Sequence, residues 1–243
     1  MAADVAFDAL LSAYRPSELI ALQYHLHIPS PDPLTNAASE ARSQYYQVGH
    51  VPSTYFNGAA AAGDWGFMEQ SEEKYKQHRT VIDAQLAGEK SAKIELRVAR
   101  TGNTLRINAQ ALPVAKADKK DEPSGSQLRL RLALTERTIR YRDGNGLLFQ
   151  RHVVRDFPGG VEGKPFVAGS ATLELTVDLD ELRGRLNEYL RQPWQISFYY
   201  DQGNLPAWWP KIELEGLTLV AFVQDDATKQ VLDAVQVAVP CAE

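Results

Sequence analysis

Cysteine is nearly absent from this sequence, since Cys241 is the only one among 243 residues. A single cysteine cannot form a disulfide within the chain, a thiolate metal cluster or a Cys-x-x-Cys redox pair. A reactive thiol also needs a neighbouring base that orients and activates it, and the residues around Cys241 suggest none. We therefore interpret Cys241 as a thiol without a catalytic role.

Long hydrophobic runs and a strong excess of one charge are also missing. No apolar stretch approaches the roughly 20 residues of a membrane-spanning helix, and residues 1–15 lack the basic segment and apolar run of a signal peptide. Lys and Arg number 26 against 31 Asp and Glu, for a formal net charge of −5. This balance does not favour binding to nucleic acid or anionic lipid. We predict neither activity, and no transmembrane segment.

The chain does contain enough apolar residues for a substantial core. Hydrophobic residues make up 44% of it, which leaves room for two domains. Up to about residue 88 the apolar residues recur with helical spacing. Asp4–Tyr14 predicts an apolar helix, Thr35 or Asn36 can cap a second helix, and Ser71 can cap a third. Between the first two, Glu18–Ile28 predicts a mostly apolar parallel strand that is covered on both faces.

The segment Val48–Gly58 predicts a loop that enters a hairpin, because a short β-forming run is followed by Asn-Gly. Val51 precedes a proline, and this position favours extended backbone. Pro52 lies just before the strand, so its peptide bond is a candidate for the cis form. By spacing alone an ordinary trans proline at the start of a strand is the commoner arrangement.

From Ser91 onwards the apolar residues alternate with polar ones, which is typical of half-buried β-strands. The turn Thr101-Gly102-Asn103 joins two such strands, and Leu179–Leu190 predicts a short helix inserted between later ones. Many short alternating strands indicate an antiparallel β-sandwich. The predicted strands of this part lie close to residues 94–109, 128–141, 149–154, 171–177, 195–200, 212–222 and 231–239.

The first part of the chain resembles the thioredoxin-like domain of bacterial Omp28-like proteins. Val48–Gly58 resembles the cis-proline loop of thioredoxin-fold proteins, and this resemblance favours the cis form of the Val51–Pro52 bond. Met1–Asp8 resembles the helix that follows a Cys-x-x-Cys motif in that fold. Gln23–Pro29 and Asp32–Asn36 resemble its second strand and the loop that leaves it.

The second part of the chain resembles the C-terminal β-domain of the same family, at Arg151–Arg155 and Ala221–Asp225. Together the two matches imply an α/β thioredoxin-like domain over residues 1–88 with its first strand missing, and an antiparallel β-sandwich domain over residues 89–243. They also imply an extracytoplasmic, periplasmic location. The family's dithiol would lie immediately before Met1, so we expect a chain that is truncated at its N-terminus.

The missing dithiol has a consequence for function, and the missing strand has a consequence for structure. Without the dithiol the chain is expected to be redox-inactive as given, and it would be a thiol–disulfide oxidoreductase only if the full gene carries the upstream Cys-x-x-Cys motif. The missing strand would be central in the sheet, and unpaired buried backbone groups are costly. We therefore expect a gap in the sheet, a replacement strand from elsewhere, or an N-terminal half of low stability.

The resemblance implies a binding site at Val51, Pro52 and Thr54, where the cis-proline loop presents backbone to an extended polypeptide. The alternative is a non-enzymatic protein-interaction module in which this loop and the Trp-rich loop Pro206–Pro210 bind a partner. Exposed aromatic residues in loops are typical of binding surfaces. More often, however, two such indoles cover an interface inside the molecule.

Two histidines on the predicted second strand raise the possibility of a metal site. His25 and His27 are two residues apart, so their side chains share one face of a strand. Asp32 and His50 could approach from neighbouring loops, and Zn²⁺ accepts such ligands. Strand histidines of this kind are more often hydrogen-bonded structural residues. We therefore predict no metal and no cofactor, and we retain His25 and His27 as the weaker candidates for metal ligands.

Overall fold

A computed structural model describes residues 2–28, 31–61, 66–88, 92–113, 127–142, 144, 146–192 and 209–242. The predicted strand at 195–200 lies outside these ranges. The elements are α1 (Ala2–Ala13), α2 (Ala37–Tyr46), β1 (Tyr55–Phe56), β2 (Ala59–Ala60), a 3-10 turn (Met68–Gln70), α3 (Ser71–Leu86), β3 (Ala92–Thr101), β4 (Thr104–Pro113), β5 (Leu128–Arg140), β6 (Phe149–Asp156), β7 (Lys164–Pro165), β8 (Ala171–Asp178), α4 (Leu179–Leu190), β9 (Leu217–Asp225) and β10 (Val231–Ala238).

The strands form antiparallel sheets, so the described part of the chain is a mixed α/β structure with antiparallel pairing. One sheet has the order β10-β9-β5-β6, with the short β7 paired to β5, and a second has the order β3-β4-β8. Strands β1 and β2 form a separate hairpin. The antiparallel sheets agree with the sequence prediction, whereas the thioredoxin-like arrangement of the first 88 residues remains a prediction.

The larger sheet is buried on both faces in its centre. Leu130, Leu132 and Leu134 of β5 point into the core between the two sheets, whereas Ala133 points to the opposite side, because successive side chains of a strand alternate. All nine residues of β9 are buried. A strand of this kind needs a cover on each face.

Residues of the N-terminal part supply the second cover. The buried cluster on this face consists of Ala133, Val154, Phe157, Val220 and Phe222, with Ile20, Leu22, Tyr24 and Ala38 among the residues packed against it. Apolar residues from both sides of residue 88 therefore share one core. The division into two domains at residue 88 remains a prediction.

The predicted strand Glu18–Ile28 is wrong as a continuous strand. Only Gln23 forms a β-bridge, parallel to Val153 of β6. Gln23 N–H donates to the His152 carbonyl at 2.9 Å, and Val154 N–H donates to the Gln23 carbonyl at 2.9 Å. A longer ladder needs extended backbone on both sides, and His152 has a φ of 50°. The contact between this segment and β6 is therefore limited to one bridge, and the expected consequences of a missing first strand remain predictions.

Helix α2 begins where the sequence predicts, with Asn36 as its cap. Asn36 Oδ1 accepts from Ser39 N–H at 3.0 Å, and Asn36 Nδ2 donates to the Val154 carbonyl at 2.8 Å. The same buried amide therefore caps the helix and ties it to β6. Helix α2 leads directly into the loop that carries Pro52.

Candidate functional site

The loop at residues 50–54 connects α2 to the β1–β2 hairpin, and its Val51–Pro52 peptide bond is cis. The side chain of Ser53 donates from Oγ to the His50 carbonyl at 2.6 Å. His50 Nδ1 lies 3.1 Å from the Pro52 carbonyl oxygen. Ser53 and His50 therefore form hydrogen bonds within the loop. The ring of His50 thus contacts the carbonyl of Pro52.

The backbone of Val51 is open within this loop. Within the part of the chain that the structure describes, neither its N–H nor its C=O makes a hydrogen bond, and the same is true of Gly49 and Ser53. Three residues later, the Thr54 carbonyl accepts from Ala61 N–H at 2.8 Å, which closes the hairpin. Pro52 has no N–H. The N–H and C=O of Val51 are therefore two backbone groups that can form hydrogen bonds with an extended segment of another chain.

A groove runs between the hairpin and α3, with a volume of about 550 Å³. Its walls include Phe56, Ala59 and Ala60 on the hairpin and His78 and Val81 on the helix. Ala59 and Ala60 are exposed, and in the described ranges β2 pairs only with β1. The groove is thus bounded on one side by a strand edge with small side chains, which another backbone can approach closely.

The tip of the hairpin rests on the turn between β9 and β10. The Asn57 carbonyl accepts from Val231 N–H at 2.9 Å. Gly58 has a φ of 90°, and a Cβ atom added to it would lie 1.9 Å from the Lys229 carbonyl oxygen. Only glycine permits this backbone-to-backbone contact. The β9–β10 turn therefore determines where the tip of the hairpin lies.

Beneath this turn, the side chain of Gln224 is fully buried and uses all four of its hydrogen-bonding positions. Its Oε1 accepts from Arg42 Nη2 at 2.8 Å and from Arg131 Nη1 at 3.4 Å. Its Nε2 donates to the Tyr46 hydroxyl at 2.8 Å and to the Lys229 carbonyl at 2.7 Å. We call Arg42, Tyr46, Arg131 and Gln224 the Gln224 cluster.

Aromatic rings surround the guanidinium of Arg42, the arginine of this cluster that lies on α2. Arg42 is 3% exposed, and its Cζ lies 4.3 Å from the ring centre of Tyr45 and 4.9 Å from that of Tyr46. Phe157 and Phe222 lie slightly farther away. Cation–π contacts compensate in part for removing the charge from water.

Arg131 has a carboxylate partner as well. Its Nη2 lies 2.8 Å from Asp226 Oδ1, and Arg129 Nε lies 2.8 Å from Asp226 Oδ2. The Tyr45 hydroxyl donates to Asp226 Oδ1 at 2.8 Å. Burial, and next this hydrogen bond, raise the pKa of Tyr45. Ion pairs and hydrogen bonds therefore tie α2 to both β5 and β9.

Sequence reasoning missed the Gln224 cluster. Arg42 carries Tyr45 and Tyr46 at the i+3 and i+4 positions of the same helix, and this spacing could have indicated a covered guanidinium. Nothing local marks Gln224, which is 182 residues away from Arg42. Its role depends on the packing of α2 against β9.

The ionisation of Tyr24, which packs next to this cluster, gives a pH prediction. Burial raises the pKa of the Tyr24 phenol to about 12, with an opposing contribution from Arg42. The folded-state pKa lies above the unfolded value of about 10, so the fold favours the neutral phenol. This stabilisation is present below about pH 10 and is lost as the pH rises through about 12.

We therefore expect the free energy of unfolding to fall as the pH rises above about 10. In Tyr24→Phe, which has no phenol at this position, the fall should be less steep. Urea unfolding across this pH range measures the difference. An equally steep fall in wild type and Tyr24→Phe would contradict the assignment.

The two candidate metal ligands are held by Asp32. His25 Nδ1 lies 2.6 Å from Asp32 Oδ2, and Asp32 N–H donates to His27 Nδ1 at 2.9 Å. The ring of His27 also stacks on Tyr189, with the ring centres 6.1 Å apart. Among the residues that the structure describes, no group of three His, Cys, Asp or Glu side chains could hold a metal. These contacts give both histidines a structural hydrogen-bonding role.

The Trp-rich loop can be judged only at its end. Trp209 is 8% exposed and belongs to the core between the sheets. This burial agrees with the interpretation that the indole covers apolar residues inside the molecule, and it disfavours the alternative of an exposed binding loop at Trp209. Pro206, Ala207 and Trp208 lie outside the described residues.

Among the described helices, none combines the length and the apolar character that crossing a membrane requires.

Two of the solved structures that are similar to this chain show how far the similarity extends. A domain of the outer membrane lipoprotein Omp28 from Porphyromonas gingivalis is 16% identical, with a TM-score of 0.37 over 63% of this chain and 99% of that chain. A protein from Agrobacterium tumefaciens is 12% identical, with a TM-score of 0.46 over 97% of this chain and 86% of that one. No family model and no curated protein matches. The Omp28 resemblance therefore recurs among the structural neighbours, but these scores are too low to carry an argument about the site.

Proposed function

We propose that this chain is an extracytoplasmic polypeptide-binding protein, with Val51, Pro52 and Thr54 as the site that receives an extended segment of its partner. The observation that carries the proposal is the Val51 backbone, whose N–H and C=O make no hydrogen bond within the described residues. An extended polypeptide pairs with such groups as an added strand. The affinity then comes mainly from main-chain hydrogen bonds.

Each residue of the site has a distinct task in this proposal. Val51 donates to and accepts from the backbone of the bound segment. Pro52 offers no competing N–H. Thr54 anchors the loop through its carbonyl, which accepts from the N–H of Ala61 directly after β2. The groove beside β2 is lined by apolar residues at Phe56 and Ala59–Ala61 and by polar and charged residues of α3 that include Glu73 and Lys74. It would receive the continuation of the bound segment.

The proposed activity is binding and not electron transfer. Thiol–disulfide exchange by a dithiol needs two sulfur atoms, and these 243 residues contain one cysteine. The extracytoplasmic location is proposed from the Omp28-like resemblance of the sequence. Fractionation of cells that express the native gene with a C-terminal epitope tag tests it, and recovery of the tag with the cytoplasm would contradict it.

A titration with a short peptide tests the binding site. We expect a proline-free peptide of about ten residues with blocked ends to shift the amide signals of Val51, Thr54 and Ala61 in the ¹⁵N-correlated NMR spectrum. The same peptide with N-methyl groups on alternate residues should bind at least about tenfold more weakly, because it cannot make the backbone hydrogen bonds.

The control region is the distant β3–β4 turn at Gly102, whose amide signals should not move. Equal affinity for the methylated and unmethylated peptides would contradict main-chain recognition. Shifts confined to residues away from the Pro52 loop would place the binding site elsewhere on the protein.

A further inference from the structure

The position of the polypeptide-binding hairpin depends on the turn between β9 and β10. The Lys229 carbonyl is the atom that Gly58 approaches most closely, and Lys229 has a left-handed φ of 65°. Val231, two residues later, donates to the Asn57 carbonyl at 2.9 Å. Any displacement of this turn would therefore displace the tip of the hairpin.

Gln224 holds that turn from below. Its Nε2 donates to the Lys229 carbonyl at 2.7 Å, so the carbonyl that faces Gly58 is fixed by a fully buried amide. Lys229 is not a glycine, and its left-handed backbone is intrinsically unfavourable. A buried hydrogen bond to its carbonyl offsets that cost and keeps the turn in this conformation.

A second path leads from Gln224 to the base of the same hairpin. Nε2 also donates to the Tyr46 hydroxyl at 2.8 Å, and the rings of Tyr46 and Tyr55 are 4.5 Å apart. Tyr55 is the first residue of β1 and directly follows Thr54. The amide nitrogen of Gln224 is thus connected to both ends of the hairpin.

The two halves of the Gln224 amide serve different parts of the molecule. The nitrogen bonds to the groups that hold the hairpin, whereas the oxygen bonds to the guanidinium groups of Arg42 and Arg131. A carboxylate at this position would keep the bonds to the guanidinium groups. It would also place an acceptor against the Lys229 carbonyl, and two acceptors repel each other.

We propose that Gln224 is a positioning residue for the polypeptide-binding site, and that its Nε2 donor holds the hairpin where Val51 can pair with a bound segment. This inference rests on the proposed function. Gln224 lies beneath the β9–β10 turn and acts on the partner polypeptide through the hairpin.

Two variants of Gln224 and one control test the assignment. Gln224→Glu removes the donor and keeps an acceptor for both arginines, so it should stay folded. Gln224→Leu removes both the Nε2 donor and the Oε1 acceptor. The control is Thr135→Val, which removes another buried side-chain hydrogen bond in the same sheet, from Thr135 Oγ1 to the Thr218 carbonyl at 3.3 Å.

We expect Gln224→Glu and Gln224→Leu to weaken binding of the blocked peptide by about tenfold, whereas Thr135→Val should leave the affinity within about twofold of wild type. Both Gln224 variants should also shift the amide signals of Val51 and Gly58 without peptide, and the control should not. This second measurement reports hairpin position without a ligand.

The outcomes separate the two proposals. If wild type does not bind the peptide, the proposed function fails, and the Val51 and Gly58 signals still decide the positioning role. Unchanged signals in both Gln224 variants would overturn that role. It would also be overturned if wild type binds and either folded Gln224 variant binds equally well, or if Thr135→Val loses as much affinity as Gln224→Glu.

Discussion

Gly58→Ala is expected to lower the free energy of unfolding by about 2–5 kcal/mol. Two costs add up at this position. A non-glycine residue in left-handed backbone costs about 1–2 kcal/mol, and forcing an atom into packed space costs about 1–3 kcal/mol. At Gly58 the φ is 90° and the added Cβ would lie 1.9 Å from the Lys229 carbonyl oxygen. Because the contact is with backbone, no side-chain rotation can relieve it.

Gly160 offers a closely matched control. Its φ is 93°, and an added Cβ would meet nothing within 4 Å. Gly160→Ala should therefore show the conformational cost alone, about 1–2 kcal/mol. Equilibrium denaturation of both variants measures the difference, which is the energy of the contact between the hairpin and the β9–β10 turn. Equal losses in the two variants would show that the hairpin does not rest on this turn.

Gly58→Ala should also weaken binding of the blocked peptide, because the hairpin must move away from Lys229. Gly160→Ala should leave the affinity unchanged. A loss of stability without any loss of affinity would mean that the hairpin tip and the Val51 pair are independent of each other.

Glu136→Gln is expected to lower the free energy of unfolding by about 3 kcal/mol. Glu136 on β5 and Arg155 on β6 are both buried, with Arg155 Nε 2.5 Å from Glu136 Oε2. The second carboxylate oxygen of Glu136 accepts from Glu215 N–H at 3.3 Å. Removing the negative charge leaves the Arg155 guanidinium buried without its counter-charge, and an uncompensated buried charge is among the costliest defects in a folded protein.

The double variant Glu136→Leu, Arg155→Leu distinguishes this cause from a general loss of packing. Replacing both partners of a buried ion pair by apolar residues is often close to neutral, so the double variant should be more stable than Glu136→Gln. The exposed pair of Glu72 and Lys76 on α3 gives a second comparison. Glu72→Gln should have no measurable effect, because water screens both groups. A double variant as unstable as Glu136→Gln would contradict the buried-charge explanation.

Elements whose signals are local could be predicted from the sequence. Helix α4 has the predicted bounds, because Asp178 accepts from the N–H groups of Asp180 and Glu181 at its start and its leucines recur with helical spacing. The β3–β4 hairpin was predicted as well, from the turn Thr101-Gly102-Asn103. In the structure Gly102 adopts a left-handed φ of 54° in this turn. Asn36 as the cap of α2 belongs to the same group. Each of these depends on residues within a few positions of one another.

The sequence was a poorer guide where residues far apart in the chain decide the structure of a segment. Glu18–Ile28 has the composition of a buried strand, but its pairing is limited by the backbone of His152. For Trp209 the sequence left two interpretations, and its burial in the core between two sheets favours an interior position over an exposed binding loop. Hydrophobicity alone does not say which of several apolar surfaces a residue will cover.

The sequence by itself determined the helices, the alternating strands, the single cysteine and the proline that precedes the hairpin, because each follows from the chemistry of neighbouring residues. The tertiary structure alone decided that the hairpin rests on the β9–β10 turn and that Gln224 holds Arg42, Tyr46 and Lys229 together. Gln224 is 178 residues from Tyr46. Its hydrogen bonds form because tertiary packing brings α2 close to β5 and β9 and buries Gln224, Arg42 and Arg131, and buried polar groups need hydrogen-bond partners inside the protein.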